Sequence, residues 1–289
     1  MAQRTHVGRL LHTESMTVPF VECMPDQVLC IDRKIYDQPV KERQAAFVNR
    51  FREGCNGVLA SSQQATLPGV NNPLCIRGMK FQALVQLCWQ NNRTFYYIDN
   101  GYFGNHFHKT WFRIIKNHVH DTGPIVDRPR DRLELCRPKL KTFTPGRKIL
   151  LAPPSVKSFA LWNIDQPKWI ESTVEQIKQF TDRPIVVRDK RPRADRFKEN
   201  TMEEALDDDV HCLVTYNSVA AVEALMLGKP AIVLGPNAAG VLCDQSLDKI
   251  ENPRIPNYDE RDAWLRHLSY CQFTFTEMSD GTAWRILND

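Results

Sequence analysis

The chain has 289 residues, enough to bury a substantial core and more than one simple α/β sheet needs, so two domains are expected. Its 42% hydrophobic and 25% charged content is that of a soluble globular protein, and no apolar run approaches the ~20 residues of a membrane span. A net charge of +4 and a pI near 8.5 fall short of the basicity, pI above ~9, of a dedicated nucleic-acid module.

The start of the chain, Met1-Ala-Gln-Arg-Thr-His6, is polar and lacks the apolar centre of a signal peptide, so a cytoplasmic protein without a membrane partner is expected. Nine cysteines, at 23, 30, 55, 75, 88, 136, 212, 243 and 271, form no Cys-x-x-Cys pair. Scattered thiols inside apolar runs behave as small hydrophobes rather than as a disulfide framework. The sequon Asn92-Arg93-Thr94 carries no weight in that compartment.

Residues 57–60 and 73–77 read as short strands, 79–89 as an amphipathic helix, and 94–99 as an aromatic, β-rich strand. Asp99 closes that strand at its carboxyl end, where open α/β sheets place functional groups; a turn cap in Asp99-Asn-Gly101 is the competing reading. Residues 111–116 resume a strand pattern. His106, His108, His118 and His120 make two His-x-His pairs, and alternate residues share one face of a strand, so a zinc site competes for them. No cysteine or carboxylate pattern nearby completes a first shell, and a metal-free protein is the expectation.

Residues 127–147 carry Pro129, Pro138, Pro145 and Gly146 among many charges, the composition of a proline-stiffened linker. Arg128, Arg130, Arg132, Arg137, Lys139, Lys141, Arg147 and Lys148 crowd this segment, and Arg188, Lys190, Arg191, Arg193, Arg196 and Lys198 crowd another. Each cluster reads as a solvated face or as the footprint of an anionic partner.

The second half alternates strand and helix: strand 148–152, turn Pro153-Pro154-Ser155, helix 168–181, strand 184–188 and short helix 202–208. Residues 212–215 are then a buried strand, Asn217 and Ser218 supply N-cap oxygens, and Ala220 opens a helix that Gly228 ends and Pro230 stops. Residues 231–234 complete a βαβ unit. Its helix start is a place to hold a phosphate at Ser218, although any parallel unit with a serine cap has the same spacing. Glu223, five residues on, has no packing reason in so apolar a helix and reads as a ligand for sugar hydroxyls. Residues 259–271 and 273–287 look like amphipathic helices.

Ser218, Glu223, Ala224, Leu227, Gly228 and Pro230 match the Ser-x-x-x-x-Glu-Ala element and Leu-x-Gly-x-Pro turn of GT-B glycosyltransferases, which the chain resembles, especially the capsule-polysaccharide and nucleotide-sugar-epimerase-like branch. Arg188, with Lys190, matches the basic residue that those proteins carry after an earlier strand. The chain departs from their Arg/Lys-x-His-Pro form, having Arg188-Asp-Lys-Arg-Pro192. Over nearly its whole length it also looks like a family of bacteriophage proteins, through Arg77-Gly78, Phe95-Tyr-Tyr-Ile-Asp-Asn-Gly-Tyr-Phe-Gly104, Arg113 with Asn117, Thr215-Tyr-Asn-Ser218 and Ala283-Trp-Arg-Ile-Leu287.

These resemblances imply an α/β, GT-B-like fold of two Rossmann-like domains with a cleft between them and C-terminal helices crossing back. Residues 1–145 are the acceptor-side domain, 146–255 the nucleotide-sugar domain and 256–289 the returning helices. The implied enzyme is a metal-independent glycosyltransferase acting in host cytoplasm, with a nucleotide sugar, UDP-linked first, as co-substrate and no other cofactor. Its first acceptor is a hydroxymethylated pyrimidine in double-stranded phage DNA. A polysaccharide transferase, a nucleotide-sugar epimerase and a non-catalytic nucleotide- or DNA-binding phage protein remain alternatives. Glycosyl transfer needs fixed charge and dipoles for the phosphates and a base for the acceptor hydroxyl. Ser155, Arg188, Lys190, Asn217, Ser218 and Glu223 are expected at the nucleotide sugar, Asp99 as the base, and Arg77, Tyr102, His106, Arg113 and Asn117 at the acceptor.

Overall fold

The computed structural model describes residues 24–31, 42–105, 110–188, 201–207 and 209–289. His106, His108, Lys190 and the rest of the second basic cluster beyond Arg188 lie outside the described residues.

The first sheet draws on β1 (Leu29–Ile31), β2 (Val58–Ala60), β3 (Leu74–Arg77), β4 (Phe95–Asn100) and β5 (Phe112–Lys116). Between them lie α1 (Glu42–Gly54), α2 (Ser62–Ala65) and α3 (Gln82–Gln90), the last entered through a 3-10 turn at Met79–Phe81. Apolar residues at alternate and consecutive positions bury both faces, as parallel strands require. Strands β1 to β4 are parallel, and β5 turns back antiparallel to β4, with Asp99 opposite Arg113. The sheet order is β10-β5-β4-β3-β1-β2, where β10 (Gln272–Phe273) comes from the far end of the chain.

The second sheet is wholly parallel, in the order β7-β6-β8-β9, with β6 (Lys148–Leu151), β7 (Ile185–Val187), β8 (Val210–Thr215) and β9 (Ala231–Val233). It is preceded by α4 (Asp131–Cys136) and carries α5 (Val156–Leu161), α6 (Gln166–Ile177), α7 (Met202–Asp207) and α8 (Ala220–Met226). The chain closes with α9 (Tyr258–Ser269), β10, α10 (Phe275–Ser279) and α11 (Thr282–Asn288). The architecture is α/β with two sheets, and every strand expected from the sequence is present.

Two expectations need correction. Residues 273–287 do not form one helix. Gln272 and Phe273 pair with β5, Thr274 and Glu277 cap α10 reciprocally, and Gly281, at φ 85°, separates α10 from α11. The break lets the segment lie flat on α1, where a Cβ at Gly54 would stand 2.0 Å from the Met278 carbonyl. The turn at Pro153-Pro154-Ser155 leads into a helix, α5, which Ser155 caps. The proline-rich linker holds the short helix α4 and, among the described residues, no strand.

Most of the linker's cations meet carboxylates of α7, α9, α10 or the β8 entry: Arg130 with Asp262, Arg132 with Glu277, Lys139 and Lys141 with Glu203, and Arg147 with Asp209. One core runs through both units, joining Tyr102, Phe103 and Trp111 to Leu213, Leu225, Val233 and Trp264.

The linker is strapped to the end of α8. Lys141 and Thr144 donate backbone N–H bonds to Met226 and Gly228, and the buried Arg261 donates to the carbonyls of Lys141 and Leu225. Gly228 sits at φ 74°, and a Cβ there would meet the Thr142 carbonyl at 2.0 Å. Gly228→Ala therefore combines left-handed strain with a backbone clash and is expected to cost ~2 kcal/mol or more, read by chemical denaturation. An unchanged midpoint would show that the strap yields freely.

Candidate active site

In an open parallel sheet, ligands bind beyond the carboxyl ends of the strands where successive connections leave in opposite directions. In the second sheet that switch lies between β6 and β8, because the chain passes from β6 to β7 on one side and then to β8 on the other. Beyond these two strands stand Ser155 and, in the first turn of α5, Ser158, with Asn217 and Ser218 in the loop after β8. The Ser158 hydroxyl donates to Asn217 Oδ1 at 3.1 Å, joining the start of α5 to that loop across the switch point. Arg188 follows β7 on the same edge, its N–H bonded to the Leu151 carbonyl. Five of the six residues expected at a nucleotide sugar thus lie on the described part of this unit; Lys190 does not fall within it.

The local geometry differs from the simple cap that the sequence suggests. Helix α8 begins at Ala220 with Val219 at the cap position in a helical conformation, so neither Asn217 nor Ser218 is the N-cap. Ser218 stands one residue earlier, its Oγ accepting the Ala220 N–H at 3.3 Å, while its carbonyl is held by Asn237 Nδ2. Asn217 turns inward and is only 2% exposed. Glu223 lies on α8 as its one carboxylate, half-buried among otherwise buried neighbours.

The first sheet switches between β1 and β3, and Arg77 ends β3 at that point. Arg77 meets Asp99 Oδ1 at 3.1 Å, and Arg113 meets Oδ2 at 3.3 Å. Tyr97 donates its hydroxyl to Oδ2, and the Asn100 N–H donates to Oδ1. Burial pushes the Asp99 carboxyl up, but the Arg113 and Arg77 guanidiniums, with the Asn100 and Tyr97 bonds, outweigh it and hold the pKa at about 2. A carboxylate so acidic, with both oxygens engaged, is a weak proton acceptor near neutral pH. Its evident work is to fix two arginines.

Not all the expected acceptor residues join this cluster. Tyr102 is buried, its hydroxyl accepting the Asp121 N–H and its ring lying beneath Arg113, so it packs rather than faces a ligand. Asn117 sits at the opposite end of β4, where its Oδ1 accepts the Phe95 N–H and its carbonyl takes the Trp89 indole N–H. Its left-handed φ of 63° suits that turn.

Sequence reasoning assigned His120 to a rival metal site and missed its actual place at the junction of the units. The ring is 3% exposed, stacks on Tyr102 and lies against the Asn217 backbone. Burial, followed by the charges of Arg113 and His118, pushes it well below the ordinary imidazole range. Nearby, Trp89 of the first unit packs on Trp162 of the second at 5.1 Å, and Gln86 donates to the Leu161 carbonyl.

Asp121, His267 and Cys271 bring three metal-type donor atoms within 4.8 Å of one another. Their hydrogen bonds argue for a different role. His267 Nδ1 accepts the Val126 N–H, which puts the ring proton on Nε2, 2.7 Å from Asp121 Oδ2. A metal-bound imidazole needs the reverse, with its outer nitrogen donating. Burial and Asp121 raise the Cys271 thiol well above its usual range, so it stays protonated and donates to the same carboxylate. The three form a hydrogen-bonded clamp between the segment after His120 and α9.

No protein family matches the chain, and no curated protein matches it. Solved structures that resemble it include two from Thermosulfurimonas dismutans. One is the KpsC beta Kdo 2,4 transferase, at 15% identity over 85% of this chain and 91% of that one, with a TM-score of 0.45. The other is the KpsC beta Kdo 2,7 transferase, at 13% identity over 86% of this chain and 97% of that one, with a TM-score of 0.44. At this degree of likeness the roles of residues rest on the chain's own geometry. Among the described residues no helix is long and apolar enough to cross a membrane.

The depressed Asp99 pKa carries a stability consequence. The folded value, about 2, lies below the ordinary 3.8, so the contribution is complete above about pH 4 and is lost as pH falls toward 2. It amounts to ~2 kcal/mol. Asp99→Asn should lower stability at pH 7 and flatten the acid limb of a denaturation profile between about pH 4 and 2; an unaltered acid limb would place the protonation elsewhere.

Proposed function

We propose that this chain is a glycosyltransferase that moves a sugar from a nucleotide sugar to a hydroxyl acceptor across the junction of its two α/β units. What carries the reading is the Ser158–Asn217 bond, which gathers hydroxyl and amide groups from the start of α5 and the loop after β8 at the β6/β8 switch point. Ser155, Ser218 and Arg188 hold the donor phosphates there, with Lys190 following Arg188 in sequence, Glu223 faces the ribose or sugar, and the buried Asn217 fixes the loop that carries Ser218. Directional N–H and O–H donors together with arginine stabilise a phosphate leaving group without calling on a metal ion. Arg77 and Arg113, braced by Asp99, form the charged edge of the acceptor side.

Between acceptors, the charge arrangement favours a saccharide hydroxyl over duplex DNA. A DNA-binding face needs cations free to meet successive phosphates. Here Arg130, Arg132, Lys139, Lys141 and Arg147 are paired with carboxylates of the same chain. A hydroxymethylated pyrimidine in phage DNA is therefore the second reading, supported by the sequence resemblance alone.

A panel of nucleotide sugars tests the donor side: one class should raise the melting temperature by at least about 3 °C at saturating concentration. Ser218→Glu, which sets a carboxylate against the phosphates, should erase that shift. If no nucleotide sugar moves the wild-type transition, the reading fails. Turnover on oligosaccharides against hydroxymethylated duplex DNA then decides the acceptor; a steep loss of binding with salt would favour DNA.

A further inference from the structure

Asp99 braces two guanidiniums, and the chain does not use them alike. Arg113 has every nitrogen engaged: Nε with the Val119 carbonyl, Nη1 with the Asn100 carbonyl and Nη2 with Asp99. Arg77 has one. Its Nη1 donates to the Ile98 carbonyl and to Asp99 Oδ1, while Nε, although buried, has no partner among the described residues. No bond among the described residues engages Nη2 either. Nε–H and Nη2–H leave the same edge of the planar group side by side, a spacing matched by two oxygens of one carboxylate or phosphate. A buried donor left unmet is costly, and an absent ligand is one of its few causes in a native protein.

The surroundings fix this edge and leave room at the strand end. Asp99 and the Ile98 carbonyl hold Nη1, and the Phe47 ring backs the guanidinium at 4.5 Å. Arg77 is the last residue of β3, its side chain 18% exposed, at the switch point of the first sheet. Gly78 follows at φ 71°, and a Cβ there would have nothing within 4 Å beyond its chain neighbours. Two arginines against one carboxylate leave a surplus positive charge, which favours an anionic ligand. One vacant edge suits one acidic group on a sugar, whereas duplex DNA calls for a row of free cations.

We propose that the acceptor is an acidic saccharide and that Arg77 seats its carboxylate or phosphate through Nε and Nη2. This rests on the glycosyltransferase reading and gives the first unit its specificity. Arg77 orients the acceptor and moves no proton. Asp99 then acts through it, holding the guanidinium by Nη1 so that the other edge faces outward ready for the oxyanion. A lysine at this position would keep the charge but offer a single point donor in place of a matched pair. A charge-assisted pair of this kind gives about a tenfold preference or more over a neutral sugar.

Two measurements on the full chain test it. With the nucleotide sugar that shifts the melting transition as donor, the acceptors are glucose oligosaccharides, the same chains ending in glucuronate, and the same chains carrying a 6-phosphate. KM for one acidic series should lie at least about tenfold below that of the neutral series, and which series does so separates carboxylate from phosphate. Arg77→Lys should bring that KM up toward the neutral value and keep the nucleotide-sugar shift. Equal KM values in the wild type, an undiminished preference in Arg77→Lys, or a lower KM for hydroxymethylated duplex DNA than for any saccharide would overturn the proposal. The second measurement needs neither variant nor turnover. In nitrogen-15 NMR of arginine-labelled wild type, the Arg77 Nε–H resonance should move on adding glucuronate or inorganic phosphate and stay in place with glucose; no movement with either anion would overturn the proposal by itself. Failure of every nucleotide sugar to shift the wild-type transition would instead overturn the glycosyltransferase reading, and the NMR titration would still decide whether Arg77 takes an oxyanion.

Discussion

Arg113 is the residue on which the geometry of the junction depends. The β4/β5 register sets it opposite Asp99, and its guanidinium spreads to three places: Nη2 to Asp99, Nη1 to the Asn100 carbonyl and Nε to the Val119 carbonyl. Its side chain is 5% exposed, and burying a charged group costs several kcal/mol unless every donor is met. That demand turns a strand residue into a brace. The carboxyl edge of β4, the loop beyond it and the returning segment that carries His120 are all held to one planar group.

A second brace comes from the end of the chain. Gln272, fully buried on β10, accepts the Tyr102 N–H at Oε1 and donates to the Phe103 carbonyl through Nε2. Arg132 of the linker helix donates to the carbonyls of Ser269 and Gln272 and pairs with Glu277. Linker and terminal segment thus clamp the loop after β4 from outside, and the same contacts occupy the basic side chains that the sequence presents as a cluster. Composition records such charges; only the fold shows that their partners are carboxylates 62 to 145 residues away.

The parallel elements were readable because their causes are local. Apolar runs bounded by glycine or proline mark β3, β4, β6 and β9, one between three aspartates and Tyr216-Asn217-Ser218 marks β8, and Gly228 at the end of α8 has the positive φ expected of it. What escaped depends on distant partners. Residues 272–273 became a strand because β5 has an open edge, not because of their own propensity. The cap of α8 moved to Val219 because Asn217 is drawn inward by Ser158. Likewise Asp99 stands at the strand end where it was expected, while its chemistry was set by two arginines that are 22 and 14 residues away in sequence.

The two units divide the electrostatics between them. On the first, two guanidiniums against one carboxylate leave one net positive charge at the sheet edge. On the second, neutral hydroxyl and amide groups face the switch point, donors whose strength lies in direction rather than charge. Asn217 touches both sides: its Oδ1 is tied to Ser158 within the second unit, and its backbone lies against the His120 ring of the first. A shift of the loop after β8 is therefore felt at His120, whose ring is already wedged between that backbone and Tyr102.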